Sequence, residues 1–437
     1  MEAYANVLLI AIPAFLVLVI IEFVYGRMVK NQTLRSFDTI SSLSSGVTNT
    51  IKNVLGLTVV VIGYSWLVEH FQIVQIEGTL LVYVLSFIAI DFAGYCMHRL
   101  SHIMNYFWNY HVIHHSSEEF NLPCALRQSI SDTLSIYAIF LIPAALIGLP
   151  PKVIAIISPI HLFLQFWYHT RHIPKLGFLE YILVTPSIHR VHHAINKEYL
   201  DKNLSQIFII WDRLFGTYQE ELDEVPCVYG VKKPARTWNP IIINFQHLWL
   251  LIQDAWRTKS YWDKMRLWFM PTGWRPEDVR DKYPIEIIDN PSSQVKYDTA
   301  ASSWLQTWSW VQFTITLLLM LHMLVVLPDL KLTNLYLYGT FLFLAIFSFT
   351  TLMDRKPAAV FTESIKSVFG LAIIWFYGSW FSIENLLPFG TYFMMFYHVF
   401  SVLAVVWFVK FEINQSSSQV EQTIQPMKTL QEVSTND

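Results

Sequence analysis

Histidine is concentrated in one part of this sequence. Eleven of the fifteen histidines in the 437-residue chain lie between His98 and His193, where an even distribution would place about three. Imidazole nitrogens bind iron, zinc, copper and nickel in proteins. The concentration therefore indicates a metal site.

The histidines form three short motifs. His98 and His102 make an HxxxH motif, and two HxxHH motifs begin at His111 and His189. Residues three and four apart lie about one turn apart on one face of a helix. Each motif is therefore expected to present its imidazoles together.

Nine histidines are the candidate metal ligands. They are His98, His102, His111, His114, His115, His169, His189, His192 and His193. His169 is included because it ends an apolar run. His161 and His172 share its face and are reserve candidates for the ninth ligand. The motifs alone offer more nitrogens than one ion of about four to six ligands can use, so the pattern predicts two metal ions.

A histidine also has ordinary structural uses. The isolated His70, His247, His322 and His398 are interpreted as packed side chains, and a single HxxxH motif arises often by chance. Two HxxHH motifs together with one HxxxH motif favour metal binding instead.

Acidic residues near the motifs are candidates to orient the ligands. Asp91 lies seven residues before His98, so it shares a helix face with Tyr95, His98 and His102. A carboxylate that accepts the second ring N–H of a metal-bound histidine fixes its tautomer. The alternative for Asp91 is a buried acid paired with another span.

Glu118, with the adjacent Glu119, directly follows the second motif. Glu118 is the second candidate for this supporting role, and Glu119 could act likewise. The alternative is that both are solvated charges, which is the commoner state of a glutamate.

Several catalytic motifs are missing from the sequence. HExxH, G-x-S-x-G and a P-loop do not occur, and no ExxH pair lies among the histidine motifs. The three cysteines are far apart, which excludes a disulfide scaffold and a thiolate zinc site. An all-nitrogen two-metal site beside apolar helices favours iron that activates O2 against a lipid C–H bond.

The composition assigns the chain to the membrane proteins. Hydrophobic residues make up 54% and charged residues 14%, whereas soluble proteins have about 25% charged residues. The formal net charge of -3 gives no reason to expect a nucleic-acid partner.

Nine apolar runs approach the roughly 20 residues that a membrane helix needs. They are Val7–Tyr25, Asn53–Val68, Thr79–Met97, Ile130–Leu149, Val153–Tyr168, Thr307–Leu327, Leu332–Leu352, Ser367–Phe381 and Leu386–Val409. The predicted fold is an all-α integral membrane protein of about nine transmembrane helices, with a cytosolic helical cap that carries the histidine-rich di-metal site.

Basic residues indicate how the chain is oriented. Arg27, Lys30 and Arg35 follow the first run, and the histidine motifs fall on the same side as these basic loops. The predicted multi-pass topology has its N-terminus outside and its site facing the cytosol. That places the chain in the endoplasmic reticulum of a eukaryote or the inner membrane of a bacterium.

The chain is expected to divide into five regions. They are residues 1–78 (N-terminal transmembrane), 79–220 (catalytic, with the histidine motifs), 221–303 (cytosolic or interfacial), 304–412 (C-terminal transmembrane helices) and 413–437 (disordered tail). Within the third region, Ala255–Met270 mixes tryptophans with basic residues, which suits either a helix in the headgroup plane or a soluble helix.

The motifs resemble those of a known superfamily. His98-Arg-Leu-Ser-His102, His111-Val-Ile-His114-His115 and His189-Arg-Val-His192-His193 resemble the histidine boxes of the fatty acid hydroxylase/sterol desaturase superfamily. The resemblance covers residues 80–220. Asp201-Lys-Asn203 and the segment Trp211–Thr217 are similar to the alkylglycerol monooxygenase branch.

The resemblance implies a function. It implies a di-iron enzyme that uses O2 and tetrahydrobiopterin to hydroxylate the ether-linked carbon of an alkylglycerol taken from the bilayer. It also implies that the nine candidate histidines are iron ligands. Spacing alone shows no pterin pocket, so the pterin rests on the resemblance.

Two alternatives remain at the level of the sequence. The first keeps the chemistry but takes a sterol, a fatty-acyl chain or a carotenoid as substrate for hydroxylation or desaturation, with electrons from a separate redox partner. The second is a membrane metal transporter or sensor, whose ligands would be expected near the middle of the bilayer.

Overall fold

The protein is largely helical. The computed structural model describes residues 2–76 and 79–414, so the predicted disordered tail lies almost wholly outside the described residues. The α-helices of the described residues are α1 (Glu2–Met28), α2 (Ser36–Val54), α3 (Tyr64–Phe71), α4 (Leu80–Ile103), α5 (Asn105–Trp108), α6 (Val112–His115), α7 (Ile142–Leu146), α8 (Pro151–Phe163), α9 (Pro186–His192), α10 (Ile210–Phe215), α11 (Pro240–Arg257), α12 (Tyr261–Arg266), α13 (Glu277–Lys282), α14 (Ser303–Val326), α15 (Leu332–Met353), α16 (Ala359–Tyr377) and α17 (Gly390–Phe408). Two short strands, β1 (Val59–Val60) and β2 (Leu134–Ser135), pair in parallel.

Six helical segments of the described residues are long and apolar enough to cross a membrane. They are Tyr4–Met28, Leu80–Ile103, Ser303–Asp329, Leu332–Met353, Ala359–Tyr377 and Gly390–Ile413. Each overlaps one of the predicted spans, although Ala359–Tyr377 begins eight residues before the predicted Ser367–Phe381, and together they support an integral membrane protein.

The prediction of nine spans is not confirmed. Asn53–Val68 is wrong as a single helix, because α2 ends at Val54 and Gly56 takes a left-handed conformation with φ of +63°. Glycine adopts this conformation without a Cβ clash and so ends the helix. The β-branched residues that follow are extended and form β1.

The other two unconfirmed spans contain shorter helices. Within Ile130–Leu149 the apolar helix covers only Tyr137–Leu146, and within Val153–Tyr168 it ends at Phe163. The first part of Ile130–Leu149 is held out of the helix, because the Ile130 N–H donates to Asn244 Oδ1 at 2.9 Å and the residues of β2 pair with β1.

Residues 12–297 form one compact unit, which contains all the histidine motifs. Within it, α4 packs against α5 and α8. The buried side chains Val82, Ile90 and Ala93 of α4 form a core with Leu149 and Val153. This packing fixes the helix that carries the first motif.

The predicted helix Ala255–Met270 is wrong as a single element. Asp278 accepts hydrogen bonds from the Thr258 hydroxyl at 3.0 Å and from the Lys259 N–H at 2.9 Å, which holds the chain extended after α11. The Ser260 hydroxyl then caps α12 by accepting from the Asp263 N–H. The run is therefore two helices with a short extended turn between them.

Residues 298–414, together with the residues up to Ala11, form a second compact unit. In it α14 packs on α15, α15 on α16 and α16 on α17. Consecutive packing of four apolar helices is the arrangement expected of a membrane bundle.

A charged pair lies inside this bundle. Glu363 and Lys366 of α16 are 1% and 0% exposed, and the Lys366 ammonium lies 2.5 Å from the Glu363 carboxylate. The ammonium also donates to the Tyr397 hydroxyl at 3.0 Å, and the Ser348 hydroxyl donates to Glu363 at 2.6 Å. Buried charges persist in such surroundings only when they are paired and hydrogen-bonded.

We expect Glu363→Leu to destabilise the protein by about 3–5 kcal/mol, because it leaves the Lys366 ammonium buried without its counter-ion. The double variant Glu363→Leu/Lys366→Met removes both charges and should lose less. The measurement is denaturant unfolding in detergent, and equal losses in the two variants would contradict this view of the pair.

Candidate metal centre

The first motif lies at the end of a membrane-length helix. Asp91, Tyr95, His98 and His102 of α4 are all buried, with exposures from 0% to 7%. The predicted common face is therefore confirmed. The helix continues past the predicted end at Met97, which carries both imidazoles on one rigid element.

The remaining histidines lie on short elements around α4. His111 directly precedes α6, which carries the next two histidines of its motif. His189 and His192 lie on α9, whose first turn holds Pro186, and a proline there suits the helical φ. His169 lies in the turn after α8.

The structure brings all nine candidate ligands into two adjacent groups. In each group, one nitrogen from every ring lies within 4.8 Å of the others. The first group contains His98, His102, His111, His115 and His192, and the second contains His114, His169, His189 and His193. Each group combines histidines from different parts of the chain, and this combination cannot be deduced from the spacing of the motifs.

The nitrogens are spaced as metal ligands would be. Two ligand nitrogens about 2.1 Å from one ion and at right angles to each other lie about 3.0 Å apart. The observed Nε2–Nε2 separations are 2.8 Å for His98 and His111, 2.9 Å for His169 and His189, 3.0 Å for His189 and His193, and 3.3 Å for His114 and His169.

Backbone carbonyls fix the tautomers of four of these rings. A carbonyl can only accept, so each Nδ1 in such a contact carries the proton and its Nε2 keeps a lone pair. The Nδ1 atoms donate from His98 to Leu204 at 2.7 Å, from His114 to Arg127 at 3.2 Å, from His169 to Gln165 at 3.0 Å and from His192 to Lys202 at 3.0 Å.

The pair His114 and His169 shows what this implies. Both Nδ1 protons are used on carbonyls, so two Nε2 lone pairs face each other at 3.3 Å. Burial lowers the pKa of His114 to about 4 and holds the pKa of His169 well below its usual range. Neither ring therefore takes up a second proton near neutral pH, and a cation between the two nitrogens would remove the repulsion.

Five other rings of the two groups are also neutral near neutral pH. Burial, followed by the neighbouring imidazoles, holds their pKa values well below the usual range, so the rings are neutral ligands. They are His111, His115, His189, His192 and His193. The Nε2 atoms of His102, His115 and His192 are buried without a hydrogen-bond partner among the described residues, which a bound metal would satisfy.

The loop Asp201–Leu204 orients three ligands of the first group. The Asp201 carboxylate accepts from His102 Nδ1 at 3.2 Å. The carbonyls of Lys202 and Leu204 accept from His192 and His98, respectively. Asp201 and Asn203 have φ of +57° and +53°, a conformation that Asp and Asn tolerate better than most residues. The sequence showed Asp201 and Asn203 only as part of the family resemblance, without a role.

Asp212 and Asp91 hold this loop in place. Asp212 accepts from the N–H groups of Leu204 at 2.7 Å and Ser205 at 2.8 Å. Asp91 accepts from the N–H groups of Ile207 at 2.9 Å and Phe208 at 3.2 Å. A carboxylate with several such donors is satisfied inside the protein.

The predicted contact between Asp91 and a ligand histidine is wrong. Its carboxylate instead accepts from His161 Nε2 and from Trp211 Nε1, both at 2.8 Å. This is the alternative of a buried acid with a partner on another helix. Asp91 therefore acts on the site indirectly, by binding the residues that follow the loop Asp201–Leu204.

The two glutamates after the second motif also contact other groups. Glu118 accepts from the Tyr297 N–H at 2.5 Å, and Glu119 pairs with Lys296 at 2.6 Å and Arg171 at 3.0 Å. Neither carboxylate is hydrogen-bonded to a ligand histidine, so the expected contact is wrong for both. Burial raises the pKa of Glu118 above its usual value.

The two reserve histidines, His161 and His172, lie outside both groups.

The carbonyl that orients His114 belongs to Arg127, which is 2% exposed and pairs with Asp38 at 2.7 Å. Sequence reasoning missed this ion pair, because its partners lie 89 positions apart in the chain.

A cavity of about 530 Å³ adjoins the histidines. His102, His115, His192 and His193 form part of its lining, so the first group and one ligand of the second border it. Residues 231–233, 246–247, 250–251 and 272–275 line other parts of it. A largely apolar pocket of about 300–1,000 Å³ with few polar groups is typical of a small-molecule site.

Known proteins share these features. The fatty acid hydroxylase family matches residues 83–217, the stretch that contains all nine histidines. An alkylglycerol monooxygenase of Homo sapiens is 33% identical over 367 residues, which cover 83% of this chain and 81% of that protein. The chain belongs to the alkylglycerol monooxygenase family.

Other relatives agree with this membership. The alkylglycerol monooxygenase of Xenopus tropicalis is 33% identical over 80% of this chain and 78% of its own length. An ornithine lipid hydroxylase of Rhizobium tropici is 32% identical, over 31% of this chain and 41% of its own length. No solved structure matches the chain. The chain is thus an oxidoreductase of a family of lipid monooxygenases with membrane helices.

We expect Asp201→Gly to weaken metal binding by about 10- to 100-fold, because it removes the acceptor that orients His102. Glycine keeps the left-handed backbone of this position available. The control is Lys202→Ala, which retains the carbonyl that binds His192 and should bind metal as the wild type does. The measurement is metal retained against a series of chelator concentrations, and equal retention in both variants would refute the role of Asp201.

Proposed function

We propose that this protein is a di-iron membrane monooxygenase that hydroxylates the ether-linked carbon of alkylglycerols. One observation carries the proposal: nine imidazoles, seven buried and two half-buried, converge in two groups, and the Nε2 lone pairs of His114 and His169 face each other. Family membership supports the substrate, because relatives that cover most of the chain are alkylglycerol monooxygenases.

The two groups give each iron its own ligands. One ion would take nitrogens from His98, His102, His111, His115 and His192, and the other from His114, His169, His189 and His193. Imidazole suits iron, and the fit rests on the spacing and tautomers of the rings. When bound, the two irons would supply the activation of O2.

The hydroxylation requires a reductant that supplies two electrons. One oxygen atom enters the C–H bond beside the ether oxygen, and the other leaves as water with two electrons and two protons from tetrahydrobiopterin. The resulting hemiacetal breaks its C–O bond to give a fatty aldehyde and a glycerol derivative. The pterin follows from the resemblance, and a separate redox partner is the alternative source of electrons.

Aromatic rings would help to keep water from the site. Phe120 is 0% exposed, and its ring centroid lies 5.2 Å from that of His193. Tyr168 is 3% exposed and lies 4.4 Å from the ring of His189. A dry site strengthens every electrostatic interaction within it and protects reactive species from side reactions.

Asp91 and Glu118 would act as positioning residues. Asp91 binds the N–H groups that follow the ligand-orienting loop. Glu118 fixes the chain after α6 by binding the Tyr297 N–H. Both roles are indirect, since neither carboxylate is hydrogen-bonded to a ligand ring.

The proposed topology follows the basic loops. The histidine site faces the cytosol, at the endoplasmic reticulum in a eukaryote or the inner membrane in a bacterium. Residues 79–220 would be the catalytic region, and residues 221–303 would contribute the cytosolic part of the cavity wall, which includes Val231 and Leu250.

The rival functions fit less well. A sterol, fatty-acyl or carotenoid hydroxylase or desaturase would use the same metal site, and only an assay separates it from the proposal. A metal transporter would place its ligands near the bilayer centre, whereas His98 and His102 lie in the last turns of α4 and the others on short elements beyond.

We expect the purified protein to contain about two irons per chain by elemental analysis. His192→Ala removes a proposed ligand and should lower the iron content and abolish turnover. His172→Ala is the matched control, since this ring lies outside both groups. A wild type without iron after reconstitution, or an active His192→Ala variant, would refute the ligand assignment.

The second expectation concerns the substrate. Membranes containing the protein should release a fatty aldehyde from an alkylglycerol when both O2 and tetrahydrobiopterin are present. A sterol and a free fatty acid, tested beside it, should give no product because they lack the ether-linked carbon. Turnover of either with no aldehyde from the alkylglycerol would favour the rival hydroxylase.

A further inference from the structure

The cavity beside the histidines has apolar walls. Val231, Leu250, Leu251 and Ile285 lie in its lining, away from the metal groups in the sequence. Such walls suit an alkyl chain, whose transfer from water is favourable by about 25 cal/mol for each Å² buried. A lipid in this cavity would also need a place for its polar end.

Arg275 lines the cavity, but its charge is already paired with a carboxylate. It forms two hydrogen bonds with Asp254, at 2.6 and 2.8 Å, and a third with the carbonyl of Tyr283 at 2.8 Å. The ion pair is buried, with side-chain exposures of 5% and 1%. Arg275 and Asp254 therefore neutralise each other.

Lys233 lines the same cavity but, unlike Arg275, has no carboxylate partner in the described part of the chain. It is half-buried, and within residues 2–76 and 79–414 its ammonium forms no hydrogen bond or ion pair. Burial and the nearby Arg275 guanidinium lower its pKa, so its surroundings disfavour the charged form. A half-buried ammonium in a cavity, with no acceptor of its own, is a binding group without a ligand.

The carboxylate in the lining, that of Asp201, does not compensate Lys233. Asp201 accepts from His102 and thus lies against the metal groups, whereas the groups that act on Lys233 are Arg275 and Asp254. His247, also in the lining, is kept neutral because burial lowers its pKa to about 4. Lys232 also lines the cavity but is exposed to solvent, so Lys233 provides the half-buried, unpaired ammonium among the described residues of the lining.

We propose that Lys233 is a specificity-determining residue, which binds a phosphate on the glycerol of a single-chain ether lipid while the ether-linked carbon lies at the histidines. The inference rests on the proposed function and names the preferred substrate within it. A phosphate gives the ammonium both a counter-charge and acceptor oxygens. A neutral alkylglycerol supplies only hydroxyls and gains less from Lys233.

The test compares two lipids and three variants. Binding of an alkylglycerol and of the same alkylglycerol bearing a phosphate is measured by calorimetry in detergent micelles, so no turnover is needed. Lys233→Gln should weaken binding of the phosphate lipid about ten-fold or more and that of the neutral lipid less than about two-fold. Lys233→Arg should retain the preference, and Lys282→Gln, an exposed lysine outside the cavity lining, should bind both lipids as the wild type does.

Turnover in the same samples separates the two hypotheses. In an active preparation, Lys233→Gln should raise KM for the phosphate lipid and leave its kcat and the iron content unchanged. If the wild type binds the phosphate lipid preferentially without releasing aldehyde, the proposed reaction fails and the binding role stands. Equal losses for both lipids in Lys233→Gln would overturn the inference.

Inorganic phosphate is the remaining arm of the test. If it binds the wild-type cavity as tightly as the phosphate lipid does, and Lys233→Gln abolishes that binding, the site belongs to free phosphate and the lipid role is refuted. Weak binding of inorganic phosphate beside tight binding of the phosphate lipid supports the proposal, because the alkyl chain then contributes to affinity.

Discussion

The structure depends on holding nine imidazoles together in two groups, with ring nitrogens turned towards one another. A buried nitrogen without a partner costs free energy, and two facing lone pairs repel each other. For five of the nine rings an acceptor behind the ring, bonded to Nδ1, holds its orientation. For His98 and His192 the holding group is a backbone carbonyl of one loop, and for His102 it is the Asp201 side chain of the same loop. The metal would complete an arrangement that the chain has already oriented.

Acidic side chains at a distance from the metal make this orientation rigid. Asp212 binds the Leu204 N–H of the loop that carries the acceptors, and Asp91 binds N–H groups that follow this loop. The buried pair of Asp38 and Arg127 fixes the carbonyl behind His114. The carboxylates thus act on backbone, and the backbone acts on the rings. This order explains why neither Asp91 nor Glu118 forms the direct contact that a carboxylate near a histidine motif suggests.

The sequence predicted the ligands better than their surroundings. Spacing of three and four residues is a local property, so the shared face of His98 and His102 followed from helix geometry alone. The division into two groups did not, because it depends on how α4, α6 and α9 meet. The second predicted span failed for a local reason as well, since Gly56 ends α2 and the following valines are extended. Contacts between residues far apart, such as Asp38 with Arg127, left no periodic signal in the sequence.

The use of carbonyls as acceptors has an evolutionary consequence. Any residue except one that distorts the backbone supplies the same carbonyl, so the acceptor function of Lys202, Leu204 and Gln165 does not depend on the type of their side chains. Selection for this acceptor function acts on main-chain conformation. Lys202, whose side chain is neither buried nor paired within the residues that the structure describes, is then expected to vary among relatives, and a comparison of residue identity alone would pass over it.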